Sequence, residues 1–448
     1  MMQPPCSNAT HASGSTRRTA NTTSPRRSFG QNECPMRSSW KHSDTKVHVK
    51  TEQKMLDFID AHEDALLQFT RDLVATPSAT PPGDERAVAA RIQQELKTLE
   101  LGEAEVIAAE PERPSLLLKL EGGRPGPTLI FNGHIDTKPA GDPAAWKHDP
   151  LDPVIEDGKL YGLGSTDMKS GVAAMVYATA ALAQVSDELA GQLHLLPVAD
   201  EEGGSMLGAR FLAANGYVHG DAILISEPSG IRREMEFIHL DSRGICCFRI
   251  RVHGDQMHSS LSDEFNAVNA CVKAGELVYR FSREFAHEGT TVNAGVTMQG
   301  GVYFGVVPGL AEFGCDLRVP PGSTEQEIRA EVEAWLEQQR QRDPELRAEV
   351  VWETPPSIWI DPVNFPRDHA LVPALQNASA KVLPDVPPIG CYPAATDAPW
   401  FAATGIPTVP SFGPGIITLA HSPNECVEVS SIFACARIYA LAALEYLA

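Results

Sequence analysis

Three apolar runs in this chain each end on side chains that bind metals or move protons, and that recurrence restricts its fold more than any other feature. Residues 128–131 lead to His134, residues 192–199 to Asp200-Glu201-Glu202, and residues 221–226 to Glu227. Between the first two lies MKSGVAAMVYATAALAQ, a small-residue segment with helical character. Strands alternating with helices imply a largely parallel sheet, and near-continuous apolar strands imply that both of its faces are covered. In such sheets ligands collect at the carboxyl ends of the strands, where these acids and His134 fall.

Upstream, apolar residues recur at helical spacing from Met55 to Thr76 (Leu56, Ile59, Leu66, Leu67, Phe69, Leu73), and Pro77 closes that segment. A second helix is expected over 85–101. The rhythm changes between about Asp241 and Glu353. A strand (245–252), a helix (266–285), two strands (290–298 and 311–319), a helix (324–341) and a strand (348–352) give β-α-β-β-α-β, the ferredoxin-like order. The expected fold is therefore α/β. A mainly parallel catalytic domain, 54–240 and 355–448, is interrupted by a smaller ferredoxin-like α+β lid at 241–354.

Residues 1–53 are rich in Ser, Thr, Asn and Arg and almost lack aliphatic side chains, so a disordered tail is expected. Its first 50 residues hold eight Arg and Lys against Glu33 and Asp44, a local charge of +6. Such a composition has the look of an organellar transit peptide; a start at Met55 would instead make the tail an upstream extension.

At 448 residues the chain is long for one hydrophobic core, which agrees with two folded units. A formal net charge of -21 argues against a nucleic-acid partner, whose binding needs clustered Lys and Arg. No run of about 18 consecutive apolar residues suggests a membrane span. The nine cysteines are scattered without C-x-x-C or disulfide-scaffold spacing, so reduced thiols and a cytoplasmic protein are expected.

His134 or Asp167 alone would more often be structural than catalytic. The constellation is different. His134 and His421 with Asp167, Glu202 and Glu227 allow one carboxylate to bridge two cations while one histidine and one carboxylate complete each site. Mixed nitrogen and oxygen donors suit Zn²⁺, with Co²⁺ or Mn²⁺ as substitutes. Two dications bring +4, balanced by three carboxylates and a bridging hydroxide. Within Asp200-Glu201-Glu202, held at a strand end, one acid can ligate while a neighbour stays free as a base. Asp136, two residues beyond His134, is placed to fix the imidazole tautomer.

The segments GHIDT, YGLGSTDMKSG, DEEGGS, SEPSG and AHSPNE occur in this order. Together they resemble the acetylornithine deacetylase, succinyl-diaminopimelate desuccinylase and glutamate carboxypeptidase family of di-zinc amidohydrolases, from about Met55 to the C-terminus. The resemblance implies a zinc-peptidase-like catalytic domain and a lid that also dimerises. It implies that Asp167 bridges the metals, that His134 with Glu227 holds one and Glu202 with His421 the other, and that Glu201 is the base acting on a water between them. It also implies a non-proline cis peptide at Asp167-Met168.

GDQMHSS resembles the lid motif whose histidine, here His258, reaches the active site of the partner subunit in a homodimer and polarises the scissile carbonyl. Arg318 matches an arginine that contacts the substrate carboxylate, and Thr396 lies near the substrate pocket. Gly305-Val306-Val307-Pro308 stands where Asn-Val-Val-Pro is usual, Ser262 stands in place of a proline, and MKSG in place of MKGG. The expected activity is hydrolysis of the amide of an N-acyl amino acid. A dipeptidase or carboxypeptidase is one alternative; a non-catalytic metal-binding interaction protein is another.

Overall fold

The computed structural model describes the backbone from His42 and the side chains from Lys50 onward, except residues 353–358. The expected tail therefore lies outside the described residues up to 41, and the expected boundary near 354 does so as well. From His42 the chain is helical: α1 (His42–Ala61) already buries Thr51 and Met55, so the expected boundary at 53 falls inside a helix. The single helix expected over 55–76 is two, because the backbone breaks at His62 (φ -117°, ψ 14°) before α2 (Glu63–Ala75) begins. Next comes α3 (Arg86–Thr98).

The central sheet is built from β1 (Glu105–Ala108), β2 (Pro114–Glu121), β3 (Arg124–His134), β4 (Ala190–Val198), β5 (Ala222–Ile225) and β6 (Thr408–Val409), in the spatial order β1-β2-β4-β3-β5-β6. β4, β3, β5 and β6 run parallel; at one side β2 pairs antiparallel with β4, and β1 antiparallel with β2. Register decides the chemistry. His134 at the end of β3 pairs with Val198 of β4, and Asn132 of β3 pairs with Ile225 of β5. His134 at the end of β3, and Glu201, Glu202 and Glu227 just past β4 and β5, therefore emerge side by side.

Against this sheet packs α4 (Ser170–Ala183), whose residues from Ser170 to Leu182 are all buried. A helix apolar all round is a core helix. Its partner α5 (Val429–Tyr446) is long and apolar enough to cross a membrane by composition, yet most of it lies inside the same core, with Ile432, Ile438, Tyr439 and Leu444 buried.

The lid follows the expected order with a hydrophobic core of its own. Its antiparallel sheet runs Thr291–Gly300, Leu310–Val319, Gly244–His253, Arg347–Trp352, with the helices Ala270–Glu284 and Glu325–Arg342 between the strands in sequence. Asn269 caps the first helix by accepting from the amides of Cys271 and Val272, and Thr324 with Glu327 forms a capping box on the second. Strand Gly244–His253 alternates buried and half-buried residues, so Phe248, Ile250 and Val252 face the helices. The other face carries Ile245, Cys247 and, on the neighbouring strand, Asp316 and Arg318 toward the catalytic domain's cavity.

Candidate metal centre

Asp167 sits in the turn that opens onto α4, behind a non-proline cis peptide to Met168. Its two carboxylate oxygens point to different histidines. Oδ1 lies 2.9 Å from Nε2 of His134, and Oδ2 lies 3.2 Å from Nε2 of His421. The same His421 nitrogen is 2.8 Å from Oε1 of Glu202, and Nε2 of His134 is 3.7 Å from Oε1 of Glu227. Ligand-type atoms of His134, Asp167 and Glu202 fall within 4.8 Å of one another, as do those of His134, Glu201 and Glu227.

Nδ1 of His134 is 3.0 Å from the carbonyl oxygen of Asp136, which can only accept, so Nδ1 carries the proton and Nε2 is the nitrogen that could ligate a metal. The sequence suggested the Asp136 side chain for this tautomer role. Its carboxylate stands farther off, at 3.6 Å, and instead accepts from the amides of Glu201 (3.1 Å) and Glu202 (3.2 Å). Asp136 thus orients the acidic turn rather than the imidazole. Asp200, at the head of that turn, takes a left-handed conformation (φ 65°), and His421 takes another (φ 56°). Non-glycine residues adopt that region at a cost, and such residues cluster at functional sites.

Charge shows what the site could hold. Burial works against an ionised Asp167, but hydrogen bonds from His134 and His421 hold its carboxyl well below the usual range. Burial would depress His134, yet the acids around it, led by Asp167, raise its pKa well above that of free histidine. Hydrogen bonds to Asp167 and Glu202 push His421 up to about 10. Desolvation, reinforced by neighbouring carboxylates, drives Glu201 and Glu227 far up. More acid is gathered here than the protein's own cations can neutralise, and the donors are imidazole and carboxylate. Divalent cations of the zinc type fit this set.

The sequence profile of Peptidase family M20/M25/M40 matches residues 130–445. The chain belongs to the M20 family. It is a hydrolase of amide bonds that binds metal. Among curated relatives, a succinyl-diaminopimelate desuccinylase of Alkalilimnicola ehrlichii is 30% identical over 385 residues, covering 83% of this chain and 96% of that protein. An N-formyl-4-amino-5-aminomethyl-2-methylpyrimidine deformylase of Bacillus subtilis is 26% identical over 406 residues, 84% of this chain and 92% of that one. The fold is similar to that of a dinuclear metal-binding M20 peptidase of Bacillus subtilis, with a TM-score of 0.62 at 18% identity, covering 87% and 99% of the two chains.

Other residues of this M20 chain separate into two groups. Asp167, Glu201, Glu202, Glu227 and His421 line one cavity of about 630 Å³ together with Arg318 and Thr396. Thr396 is buried, its hydroxyl accepting from the amide of Ala398 at 3.1 Å, and Arg318 forks onto Asp316 at 2.9 and 3.0 Å. His258 is elsewhere. It is exposed at the head of a short turn, where Nδ1 meets the amide of Ser260 at 3.2 Å and its hydroxyl at 2.8 Å.

Sequence reasoning missed the supports. Glu425, buried, accepts from the amides of Gly164 (3.1 Å), Thr166 (2.8 Å) and Asp167 (3.0 Å), and so clamps the turn that presents Asp167. The Tyr392 hydroxyl donates to Glu227 at 3.3 Å. Arg113, buried, meets Asp200 at 2.7 Å, Glu85 at 2.8 Å and Asp136 at 3.8 Å. Glu425 ends the motif AHSPNE and could have been singled out there. Arg113 carries no local signal, since an arginine before a strand is most often solvated.

Proposed function

We propose that this protein is a two-zinc hydrolase cleaving the amide bond of an N-acyl amino acid, of the deacetylase or desuccinylase type. Asp167, His134, Glu227, Glu202 and His421 would hold the two ions, with Asp167 shared between the His134–Glu227 side and the Glu202–His421 side. The observation that carries this reading is the division of the Asp167 carboxylate between two histidines, one per oxygen. The bound ions supply Lewis acidity toward the scissile carbonyl and lower the pKa of the attacking water. Glu201 would take a proton from the attacking water and return it to the leaving amine; the Asp136 carboxylate, bonded to its amide, holds it in place. A cavity of about 630 Å³ is sized for a small acylated amino acid. The desuccinylase and deformylase names of the relatives support an acyl amide as substrate.

The quaternary part of the proposal is a cytoplasmic homodimer in which His258 of the partner subunit completes the cavity. Two observations support it. His258 lies outside the cavity of its own chain. The lid also ends on an edge strand, Thr291–Gly300, whose Val296 (48% exposed) and Met298 (58%) continue into Tyr279 (62%) on the adjoining helix. An apolar, unprotected edge is a pairing surface.

Metal content by mass spectrometry, with a panel of N-acetyl, N-succinyl and N-formyl amino acids and dipeptides, tests the reading. Two metals per chain and turnover on an acyl amide are expected, with Glu201→Gln retaining the metals while kcat falls by about 10²–10⁴. Full activity in Glu201→Gln would refute the role of the base. Turnover confined to dipeptides would favour the second reading, a dipeptidase or carboxypeptidase, which the family's peptidases keep open.

A further inference from the structure

We infer that Trp400 is a stacking platform in the cavity, and that the substrate carries an aromatic group beside its scissile amide. The inference rests on the proposed amide-hydrolase reading and deepens it by naming the class of that group. Two unlike sets of side chains line the cavity. One is the polar set of Asp167, Glu201, Glu202, Glu227 and His421; the other includes Trp400, Ile245, Ile360 and Ile417. All four of the latter are half-buried, so each keeps apolar surface that the protein leaves uncovered. Covering such surface favours binding in proportion to the area removed from water.

Trp400 differs from the three isoleucines in how it is held. It lies on the short helix Ala398–Ala402, just after Thr396 and Asp397. The Asp397 carboxylate accepts from the hydroxyl of Ser205, and the Thr396 hydroxyl accepts from the amide of Ala398 at 3.1 Å. Ser205 belongs to the turn that carries Glu201 and Glu202, so the start of this helix is tied to the proposed base. Arg210, on the helix Ala209–Ala214 that follows the same turn, is not among the cavity-lining residues. Its guanidinium lies over the Trp400 ring, 4.8 Å from the centroid, and Nη1 donates to Sδ of Met206 at 3.2 Å. Among the described residues Arg210 meets no carboxylate. A guanidinium laid on a ring face, with no acid of its own, fixes the plane of that ring.

A flat indole of fixed orientation gains more from a second ring than from an aliphatic group of equal size, because offset or edge-to-face contact adds to the area covered. That ring can belong to either side of the amide, as the side chain of the amino acid or as part of the acyl group. In both cases it is remote from the reacting carbon. The contact is then equally strong in ground and transition states, and it shows in KM and not in kcat.

The test compares KM and kcat of wild type, Trp400→Ala and Trp400→Phe in two series. One is N-acetylphenylalanine, N-acetylcyclohexylalanine and N-acetylalanine; the other is N-phenylacetylalanine, N-cyclohexylacetylalanine and N-acetylalanine. In one series the wild-type KM for the phenyl member is expected about 3- to 10-fold below that for the cyclohexyl member. Trp400→Ala should abolish that difference, raising the phenyl KM about 10- to 100-fold with kcat nearly unchanged, while Trp400→Phe keeps most of it. Arg210→Met should raise the phenyl KM by a smaller factor, and two metals per chain should remain in each variant. The series that responds names the side of the amide.

No phenyl preference in either wild-type series would overturn the inference. So would an equal rise in KM for the phenyl and cyclohexyl members in Trp400→Ala, which would mean that the indole only packs the wall. Calorimetric titration of the same compounds into Glu201→Gln, with and without Trp400→Ala, reads the platform without turnover. A wild type inert on every compound would thus refute the hydrolase reading and still leave the role of Trp400 decided.

Discussion

Removing the Arg113 guanidinium tests how the acidic turn is held. Arg113 is buried and meets Asp200 at 2.7 Å, Glu85 at 2.8 Å and Asp136 at 3.8 Å; all three carboxylates are buried too. Arg113→Met leaves those charges without their cation, and breaking a buried pair in this way costs about 3–5 kcal/mol. At about 2.1 cal/mol/K of unfolding entropy per residue over roughly 400 residues, the apparent Tm should fall by about 4–6 °C.

The cost should also depend on pH. Burial, with Asp136 nearby, pushes Glu85 up to about 7 in spite of Arg113. Between about 4.5 and 7 the folded protein holds a proton that the unfolded chain has lost, so stability from this group is complete below 4.5. It is lost as pH rises through 7, by about 3 kcal/mol. Without Arg113 the folded value climbs further and the loss continues above pH 7. The Tm gap between wild type and Arg113→Met should therefore be wider at pH 8 than at pH 6, and the widening should shrink in a Glu85→Gln background, leaving the smaller part due to Asp136. Thermal unfolding at the two pH values measures it. A gap under about 1 °C at pH 8, or one that narrows with pH, would refute this account of the network.

Three further outcomes are expected. Glu425→Gln turns an NH₂ group against a turn whose amides of Gly164, Thr166 and Asp167 all seek acceptors, so zinc affinity measured by chelator competition should weaken about 10- to 100-fold. Chelation of the metals leaves Asp167, Glu202 and Glu227 packed without a dication and should lower Tm reversibly, by the equivalent of about 4 kcal/mol when free metal had exceeded Kd a thousandfold; scanning fluorimetry before and after the metal is restored reads it. Met298→Asp puts a charge on the exposed lid edge and should shift light-scattering mass from dimer to monomer, with activity lost alongside if His258 acts across the interface.

Much of this molecule was legible in one dimension because its signals are local. Apolar runs bounded by Gly and Pro mark the strands, helical spacing marks the helices, and the lid's β-α-β-β-α-β order is readable from periodicity alone. Boundaries were less so. The break at His62 interrupts a continuous apolar period, and the helix reaching back to His42 passes through polar residues that carry no amphipathic signal.

The sequence by itself marked the side chains able to ligate metal and a neighbouring acid as a candidate base, since residue type and position at strand ends are written in the order of the chain. Only the tertiary structure decided how they are held. Parallel register between β3, β4 and β5 brings His134, Glu202 and Glu227 to one edge of the sheet. Arg113 and Glu425 act across 87 and 258 residues of chain, on Asp200 and Asp167. Arg318 and Asp316, a local pair on one lid strand, line the same cavity as Glu202 and His421 only once the lid and the catalytic domain come together. Long-range pairing of charges leaves no local pattern, because a buried ion pair depends on which segments meet and not on what lies beside them in sequence.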